Sequence, residues 1–135
     1  MTAASQEQIM LARASYARCQ RSPEFFRRFY ERFLASAPEI QGYFTDTDFN
    51  KQERLLEHGI MLLLIYAKRK NPSLLTRITE RHGPKGLGIP ARLYPRFTAS
   101  FLATVQQFDL RCDQATIDAW EAALKPGIAF ISGST

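Results

Sequence analysis

The sequence contains little cysteine and little histidine, and these two shortages limit the metal sites that the chain can build. Its 135 residues include two cysteines, Cys19 and Cys112, and two histidines, His58 and His82. A structural zinc site needs four ligands at characteristic short spacings, and these four residues show none of those spacings. We therefore expect no zinc site. We also expect both cysteines to remain thiols, as is usual in the cytoplasm.

Long apolar runs and a signal-like N-terminus are also lacking. The longest apolar run, IMLLLIYA at positions 60–67, is far too short to span a bilayer. The opening segment MTAASQEQIM has no basic start followed by an apolar stretch, so it does not have the pattern of a secretory signal. These two observations predict a cytoplasmic protein without membrane insertion.

A concentrated basic surface is a third feature that the sequence lacks, although the net charge is +5. The lysines and arginines are scattered and interleaved with acidic residues. The KRK block at positions 68–70 is typical of a solvated helix end, where cations complement the partial negative charge of the terminal carbonyls. We therefore expect no binding to nucleic acid.

No segment shows sustained alternation of apolar and polar residues, and the sequence predicts an all-α protein. With 45% hydrophobic residues, a chain of this length has enough material for one core, which predicts a single domain over residues 1–135. Capping residues predict where the helices begin. The predicted starts are Ser5 with Gln8, Ser22 with Pro23, one of Asp46, Thr47 and Asp48, then Ser73, and the position after Asp113.

Proline and glycine predict where the helices end. Asn71-Pro72 and Gly83-Pro84 follow apolar rows of helical spacing and are expected to stop these helices. Pro38 is expected either to end the second helix or to lie just beyond its end. Pro126-Gly127 lies inside the last apolar row, where a proline removes one backbone hydrogen bond. We expect this pair to kink or end the last helix and to separate its C-terminal turn.

The aromatic content is high, with ten Phe, five Tyr and one Trp, which suits either a tightly packed helical core or the wall of a flat apolar pocket. His82 follows Leu75 and Ile78 at helical spacing and is the last residue on the apolar face of a short predicted helix. Such a histidine is either a core residue that bonds a backbone carbonyl or the single axial ligand of a haem. Covalent haem attachment is excluded because the sequence contains no Cys-x-x-Cys-His.

A haem pocket also needs an aromatic ring against the porphyrin and hydrogen-bond donors near the open coordination position. Tyr30, Phe44 and Gln52 have the required chemistry. On their helix Gln52 and Leu56 lie about 40° apart and share a face, whereas His58 lies about 200° from Leu56 and points away. Tyr30 is alternatively a plain core residue, and Gln52 is alternatively exposed if this helix is rotated.

Three stretches together resemble the globins, in particular their bacterial single-domain and flavohaemoglobin-like branch. In FFRRFYERFLASAPEIQGYF, Tyr30 lies eight residues before Pro38, and Pro38 lies six residues before Phe44. In KQERLL, Gln52 and Leu56 are four residues apart. The third stretch, RHGPKGLGIPARLYPRF, carries a histidine where globins have the proximal one. The resemblance extends from about position 8 to position 131. The short segment between Phe44 and Gln52 is similar to the reduced loop of truncated globins.

The resemblance implies a globin-like helical fold that encloses haem b, with a shortened loop before the distal helix. It implies that His82 is the metal ligand and that Tyr30, Gln52 and Leu56 face the bound gas. The residues implied to contact the cofactor are Phe44, Leu75, Ile78, His82, Ile89, Tyr94 and Phe97. The basic side chains close to the pocket mouth, either pairing with haem propionates or simply solvated, are Arg81, Lys85 and Arg92.

Tyr94 resembles the tyrosine that supports the proximal histidine in flavohaemoglobins, where a glutamate completes the support. The position that matches this glutamate is Thr135, which has no carboxylate. Strong peroxidase-like activation of oxygen is accordingly not expected.

Three functions are compatible with this resemblance. The first is reversible binding of oxygen, together with NO and CO, as a haem protein in oxygen transport or storage. The second is nitric oxide dioxygenation, for which an external reductase is the expected partner. The third is a gas-sensing or haem-free regulatory module that acts through another protein.

Overall fold

The structure is a computed structural model that describes residues 3–83 and 86–133. These residues form seven α-helices and three short 3-10 helices, and they include no strand. The α-helices are α1 (Gln6–Cys19), α2 (Phe25–Ser36), α3 (Pro38–Gln41), α4 (Phe49–Arg69), α5 (Thr76–His82), α6 (Tyr94–Phe108) and α7 (Gln114–Ser132). The 3-10 helices are Gly42–Phe44, Pro72–Leu74 and Ala91–Leu93. The all-α prediction is confirmed. No described helix is both long and apolar enough to cross a membrane.

Three helices begin where their capping residues predict. At α1 the Ser5 hydroxyl accepts from the Gln8 amide, and the Gln8 side chain accepts from the Ser5 amide, both at 3.1 Å. Of the three candidates before α4, Asp48 is the cap, because its carboxylate accepts from the amide of Asn50 at 3.0 Å. Asp113 caps α7 through the Thr116 amide at 2.9 Å. Four residues, 45–48, separate Phe44 from α4, so the loop before this helix is short.

One predicted boundary is wrong. Helix α2 begins at Phe25 rather than directly after Ser22-Pro23, which lie in a turn. Pro38 lies just beyond the end of α2 at Ser36, which is one of the two predicted places. It occupies the first turn of α3, a position that proline favours because its missing N–H is not needed there.

The predicted cap at Ser73 is also wrong, because a 3-10 helix precedes α5. Asn71 accepts from the Ser73 amide at 3.1 Å and caps this 3-10 helix instead. Helix α5 therefore begins at Thr76 without a side-chain cap.

Helix α7 runs without a break from Gln114 to Ser132, so the predicted kink or end at Pro126-Gly127 is wrong. Trp120 and Leu124 before the proline and Ile131 after it are all buried on the same side of this helix. Their burial outweighs the loss of one backbone hydrogen bond at Pro126. At Gly127 the helix backbone comes close to α4, because a Cβ atom there would overlap a terminal methyl group of Leu63.

We expect Gly127→Val to lower the free energy of unfolding by about 2 kcal/mol, because the added side chain overpacks the contact between α7 and α4. Urea denaturation followed by circular dichroism measures this change. Gly42→Val is the matched control, since a Cβ atom at Gly42 would have no neighbour within 4 Å. Equal losses of stability in the two variants would contradict the close contact at Gly127.

The core is built mainly from aromatic rings on α1, α2, α6 and α7. The ring of Trp120 is fully buried and lies edge-on to Phe101 at 5.0 Å and to Tyr16 at 5.9 Å. Phe101 in turn contacts Phe25 at 5.6 Å and Phe29 at 5.9 Å. Edge-to-face pairs of this kind contribute about 0.5–1.5 kcal/mol each beyond their area burial. The rings therefore hold these helices in fixed positions around the cavity described below.

A buried polar network joins α1 to the turn between α6 and α7. Asp109 is 1% exposed and accepts from the Ser15 hydroxyl at 2.6 Å and from Arg18 at 2.6 and 2.9 Å. The Ser15 oxygen also accepts from the indole N–H of Trp120 at 2.9 Å. A buried carboxylate is tolerated only when it is paired and hydrogen-bonded, and both conditions are met here.

This network predicts a loss of stability in acid. Burial by itself would raise the pKa of Asp109, but hydrogen bonds from Arg18, Ser15 and the Arg111 amide outweigh it and hold the pKa below its usual range. A carboxyl group with a lowered folded pKa stabilises the protein above its unfolded pKa of about 3.9, and this stabilisation is lost as the pH falls through the folded pKa.

We expect Asp109→Asn to lower the free energy of unfolding at neutral pH and to make it less dependent on pH in the acid range. Urea denaturation at a series of pH values measures both effects. Asp46→Asn, at an exposed carboxylate, serves as the control. If the free energy of unfolding of Asp109→Asn fell in acid as steeply as that of the unmodified protein, this carboxyl group would not couple stability to pH.

Candidate functional site

A cavity of about 380 Å³ lies between the helices, and its lining is predominantly apolar. Helices α2 and α4 and the segment from α3 to position 47 supply part of the lining. The rest comes from α5, the segment 87–93, the start of α6 and the end of α7. The predicted site residues that line it are Tyr30, Phe44, Gln52, Leu56, Ile78, His82, Ile89, Tyr94 and Phe97.

Tyr30 on α2 and Gln52 on α4 form a hydrogen-bonded pair in this cavity. The Gln52 Nε2 atom donates to the Tyr30 hydroxyl oxygen over 3.0 Å. Because the oxygen accepts this bond, the hydroxyl proton of Tyr30 is left to donate elsewhere. Burial raises the pKa of Tyr30 well above its ordinary value, although the bond from Gln52 acts in the opposite direction. Tyr30 therefore remains a protonated donor at physiological pH.

The Tyr30 ring is fixed by three phenylalanines, which determines where its hydroxyl lies. Phe29 contacts it edge-on at 5.0 Å, Phe49 at 5.6 Å and Phe44 at 5.8 Å. The ring itself is 5% exposed. A donor held this firmly loses little further conformational entropy when it binds a ligand.

His82 is the last residue of α5 and faces the same cavity. Its Nδ1 atom lies 2.9 Å from the hydroxyl oxygen of Tyr94, the first residue of α6. Burial, with a smaller contribution from Arg81, lowers the pKa of His82, which favours the neutral imidazole that metals bind. Burial also raises the pKa of Tyr94 to about 12. Because Nδ1 is engaged by Tyr94, Nε2 is the ring nitrogen that remains for a ligand.

The glycine-rich segment after α5 folds back onto this helix. The Leu87 amide donates to the Arg81 carbonyl at 2.7 Å, and the Ile89 amide donates to the His82 carbonyl at 3.0 Å. Gly88 has φ +62°, a conformation that favours glycine. Gly86 lies so close to the Arg81 backbone that a Cβ atom would overlap it. These features bring Ile89 into the cavity wall beside the histidine.

Some predicted residues do not line the cavity. Leu75 is fully buried in the core, in contact range of α7 at Gly127. His58 is exposed and lies outside the lining. Arg92 forms a bidentate ion pair with Glu39 of α3 at 2.6 Å.

Arg81, by contrast, is exposed and lines the cavity. Of the residues named from the sequence, Pro84, Lys85 and Thr135 lie outside the described residues.

Other lining residues were not singled out in the sequence. The end of α7 contributes Ile128 and Ile131, and α4 contributes Ile60 and Leu63. Their apolar spacing predicted helices that pack on a core, but it did not distinguish core from cavity wall. Tyr43 and Leu93 also line the cavity from 3-10 helices, for which the sequence carries no periodic signal.

The residues of this cavity fit a haem better than a metal ion bound by side chains alone. The described part of the chain contains no group of three or more His, Cys, Asp and Glu side chains that could hold a metal ion. A haem needs a single protein nitrogen and an apolar pocket with room for a flat ring. His82 supplies the nitrogen, and the phenylalanine and isoleucine side chains of the cavity supply the apolar walls.

Comparisons with known proteins agree with this architecture. No curated protein matches the sequence at a significant level. The chain is similar to the Pseudomonas aeruginosa PAO1 protein PA3967, whose crystal structure is described as structurally highly homologous to a human haemoglobin. The two are 37% identical with a TM-score of 0.90, over 93% of this chain and 96% of the other. Residues 27–130 match the family called Globin. The chain therefore belongs to the globin family, whose members bind haem and, through it, diatomic gases.

Proposed function

We propose that this globin binds oxygen reversibly, and also NO and CO, at a haem b whose iron is held by His82. The observation that carries the proposal is the arrangement of two polar pairs in one apolar cavity. One pair is His82 with Tyr94, and the other is Tyr30 with Gln52. Bound haem would supply the iron atom to which the gas bonds. We propose haem b, which is held without a covalent bond, because the sequence has no Cys-x-x-Cys-His for covalent attachment.

Tyr94 acts as the positioning residue for the proposed ligand. If Nε2 of His82 binds a metal, Nδ1 carries the ring proton and donates a hydrogen bond to the Tyr94 oxygen. This bond sets the orientation of the imidazole. A carboxylate in that place would make the imidazole more basic, but His82 has no carboxylate partner among the hydrogen bonds of the described residues. A neutral tyrosine partner favours reversible binding over cleavage of the bound oxygen.

Tyr30 supports the proposal as the donor to a bound gas. Its hydroxyl would donate a hydrogen bond to a gas ligand that carries partial negative charge. Gln52 occupies the Tyr30 oxygen and so orients the hydroxyl proton. Phe44, Leu56 and Ile78 surround the cavity with apolar groups, which keep water away and slow oxidation of the iron.

Nitric oxide dioxygenation is a second candidate function, favoured by the same donor pair. This reaction combines one oxygen molecule, one nitric oxide molecule and one electron to form nitrate. Haem would carry the electron, and a reductase, which we expect to be a separate protein, would supply it. Rapid mixing of the oxygenated protein with nitric oxide, followed by turnover with an added reductase, separates this activity from simple binding.

The proposal also concerns the organisation and location of the chain. The family match begins at position 27, yet α1 packs on the same core through Tyr16 and Ser15. This packing supports a single globin domain over residues 1–135. Cys19 and Cys112 are both free, and burial raises the pKa of the Cys19 thiol to about 12. Two unpaired thiols are in keeping with the cytoplasm.

An absorption spectrum of the purified protein tests the proposal directly. With haem bound, reduction by dithionite is expected to give the spectrum of a ferrous haem with one histidine ligand. Carbon monoxide should then shift the main haem absorption band reversibly. Oxygen should also shift this band, without rapid oxidation of the iron. Absence of a haem band after haem addition would refute the proposed function.

A further inference from the structure

A surface groove lies next to the cavity and shares one wall with it. The groove, here called the outer groove, is lined by Glu31, Leu34, Ala35, Gln41, Phe44 and Phe49. It is formed by α2, the end of α3, the following 3-10 helix and the start of α4. Among the described residues, Phe44 is the one that lines both the outer groove and the cavity. Phe44 therefore lies between the groove and the cavity.

The Phe44 ring is held by other rings. It stacks on Phe49 at 6.0 Å with an interplanar angle of 25°, and it lies edge-on to Tyr30 at 5.8 Å and to Phe33 at 6.3 Å. Contacts of this kind are worth about 0.5–1.5 kcal/mol each. The ring is therefore held in place, and its displacement is a barrier that a ligand entering from the outer groove must cross.

The chemistry of the outer groove suits a small uncharged ligand. Leu34 and Ala35 give it apolar surface. The polar groups are the Glu31 carboxylate and the Gln41 amide, and the latter donates to the Leu34 carbonyl at 3.2 Å. A carboxylate at this position disfavours anions, whereas a diatomic gas needs neither a charge nor a hydrogen bond to pass.

We propose that diatomic ligands reach the cavity through the outer groove, and that Phe44, supported by Phe49, sets the largest ligand that can pass. A ligand that passes the Phe44 ring arrives beside the Tyr30 hydroxyl, because the two rings are in contact. This inference rests on the proposed function. The competing route is the cavity mouth, where Leu55 and Leu87 line the cavity and are 37% and 53% exposed.

Two tryptophan substitutions, one in each opening, distinguish the two routes. Ala35→Trp fills the outer groove at an exposed position, and Leu55→Trp fills the mouth at another exposed position. The rate of carbon monoxide association after laser photolysis is measured in the haem-loaded protein. Ala35→Trp is expected to slow association about tenfold, which is about 1.4 kcal/mol in the barrier. Leu55→Trp is expected to slow association much less than Ala35→Trp does.

The route also predicts a signature in the dissociation rate. A barrier on the entry path changes neither the free protein nor the ligand-bound protein. Ala35→Trp should therefore lower the association rate and the dissociation rate by the same factor and leave the affinity unchanged. Phe49→Ala removes the ring on which Phe44 rests and should raise the association rate. Its dissociation rate carries a second effect, because Phe49 also contacts Tyr30. The variant should also admit alkyl isocyanides that the unmodified protein binds slowly.

A second measurement uses the haem-free protein. Dissolved xenon should shift the methyl NMR resonances of Leu34 and Ala35 in the groove together with those of Leu56 in the cavity. An association rate unchanged by Ala35→Trp but slowed by Leu55→Trp would overturn the proposal, as would xenon shifts confined to Leu56. A protein that takes up no haem would instead refute the proposed function, and the xenon measurement would still decide whether the groove connects to the cavity.

Discussion

Replacing His82 with glycine is expected to abolish the spectrum of a histidine-ligated haem and to weaken haem binding by about 100-fold or more. Loss of a residue that only supports a metal ligand usually costs 10–100-fold in affinity, so loss of the ligand itself costs at least as much. Imidazole added to the solution should enter the space left by the side chain and restore the histidine-type spectrum.

The control for this prediction is His58→Gly, because His58 is exposed and does not line the cavity. Haem titration followed by absorbance gives the affinity of each variant. Should His82→Gly retain the ferrous histidine spectrum without added imidazole, another residue must hold the iron. The imidazole rescue also separates loss of the ligand from loss of the fold, since an unfolded variant would not respond.

Replacing Tyr30 with phenylalanine is expected to speed oxygen dissociation about 10- to 100-fold. The substitution removes a hydroxyl donor while keeping the ring that packs on Phe29, Phe44 and Phe49. A hydrogen bond to a partly charged ligand in a dry site contributes about 1.5–3 kcal/mol, and each 1.36 kcal/mol corresponds to a factor of ten in rate. Carbon monoxide, which carries less negative charge when bound, should be affected much less.

Tyr16→Phe is the matched control for this second prediction. Tyr16 is buried like Tyr30, but its hydroxyl donates to the Glu57 carbonyl at 2.8 Å and does not line the cavity. Stopped-flow displacement of oxygen by carbon monoxide gives the dissociation rates. Equal rates in the unmodified protein and Tyr30→Phe would show that Tyr30 is a core tyrosine without a role at the ligand.

The helices could be predicted from the sequence where a buried apolar face or a side-chain cap defines them. In the sequence, Tyr94, Phe97, Phe101, Val105 and Phe108 recur at the spacing of one helical face, and this row corresponds to α6. Asp113 marks the start of α7. Both signals act within one turn of helix. Local signals failed at Pro126, where the packing of α7 on α4 keeps the helix continuous. That packing joins residues far apart in sequence and is invisible to a local pattern.

The candidate site could be predicted to a similar extent and for related reasons. Spacing on α4 placed Gln52 and Leu56 on one face, and both line the cavity. Leu75 was predicted to share a helical face with His82. In the structure it lies between the 3-10 helix and α5, so the spacing of an α-helix does not apply to it. The bond between Gln52 and Tyr30 depends on how α4 is rotated against α2, which no single helix encodes.

The missing side chain at position 127 also has a consequence for the ligand cavity. Leu63, whose methyl group lies against Gly127, is itself part of the cavity lining. Any side chain added at position 127 would displace Leu63 and so change the wall of the cavity. A residue outside the lining thus influences the shape of the cavity, and variation at this one position offers a way to alter the cavity while every lining residue is kept.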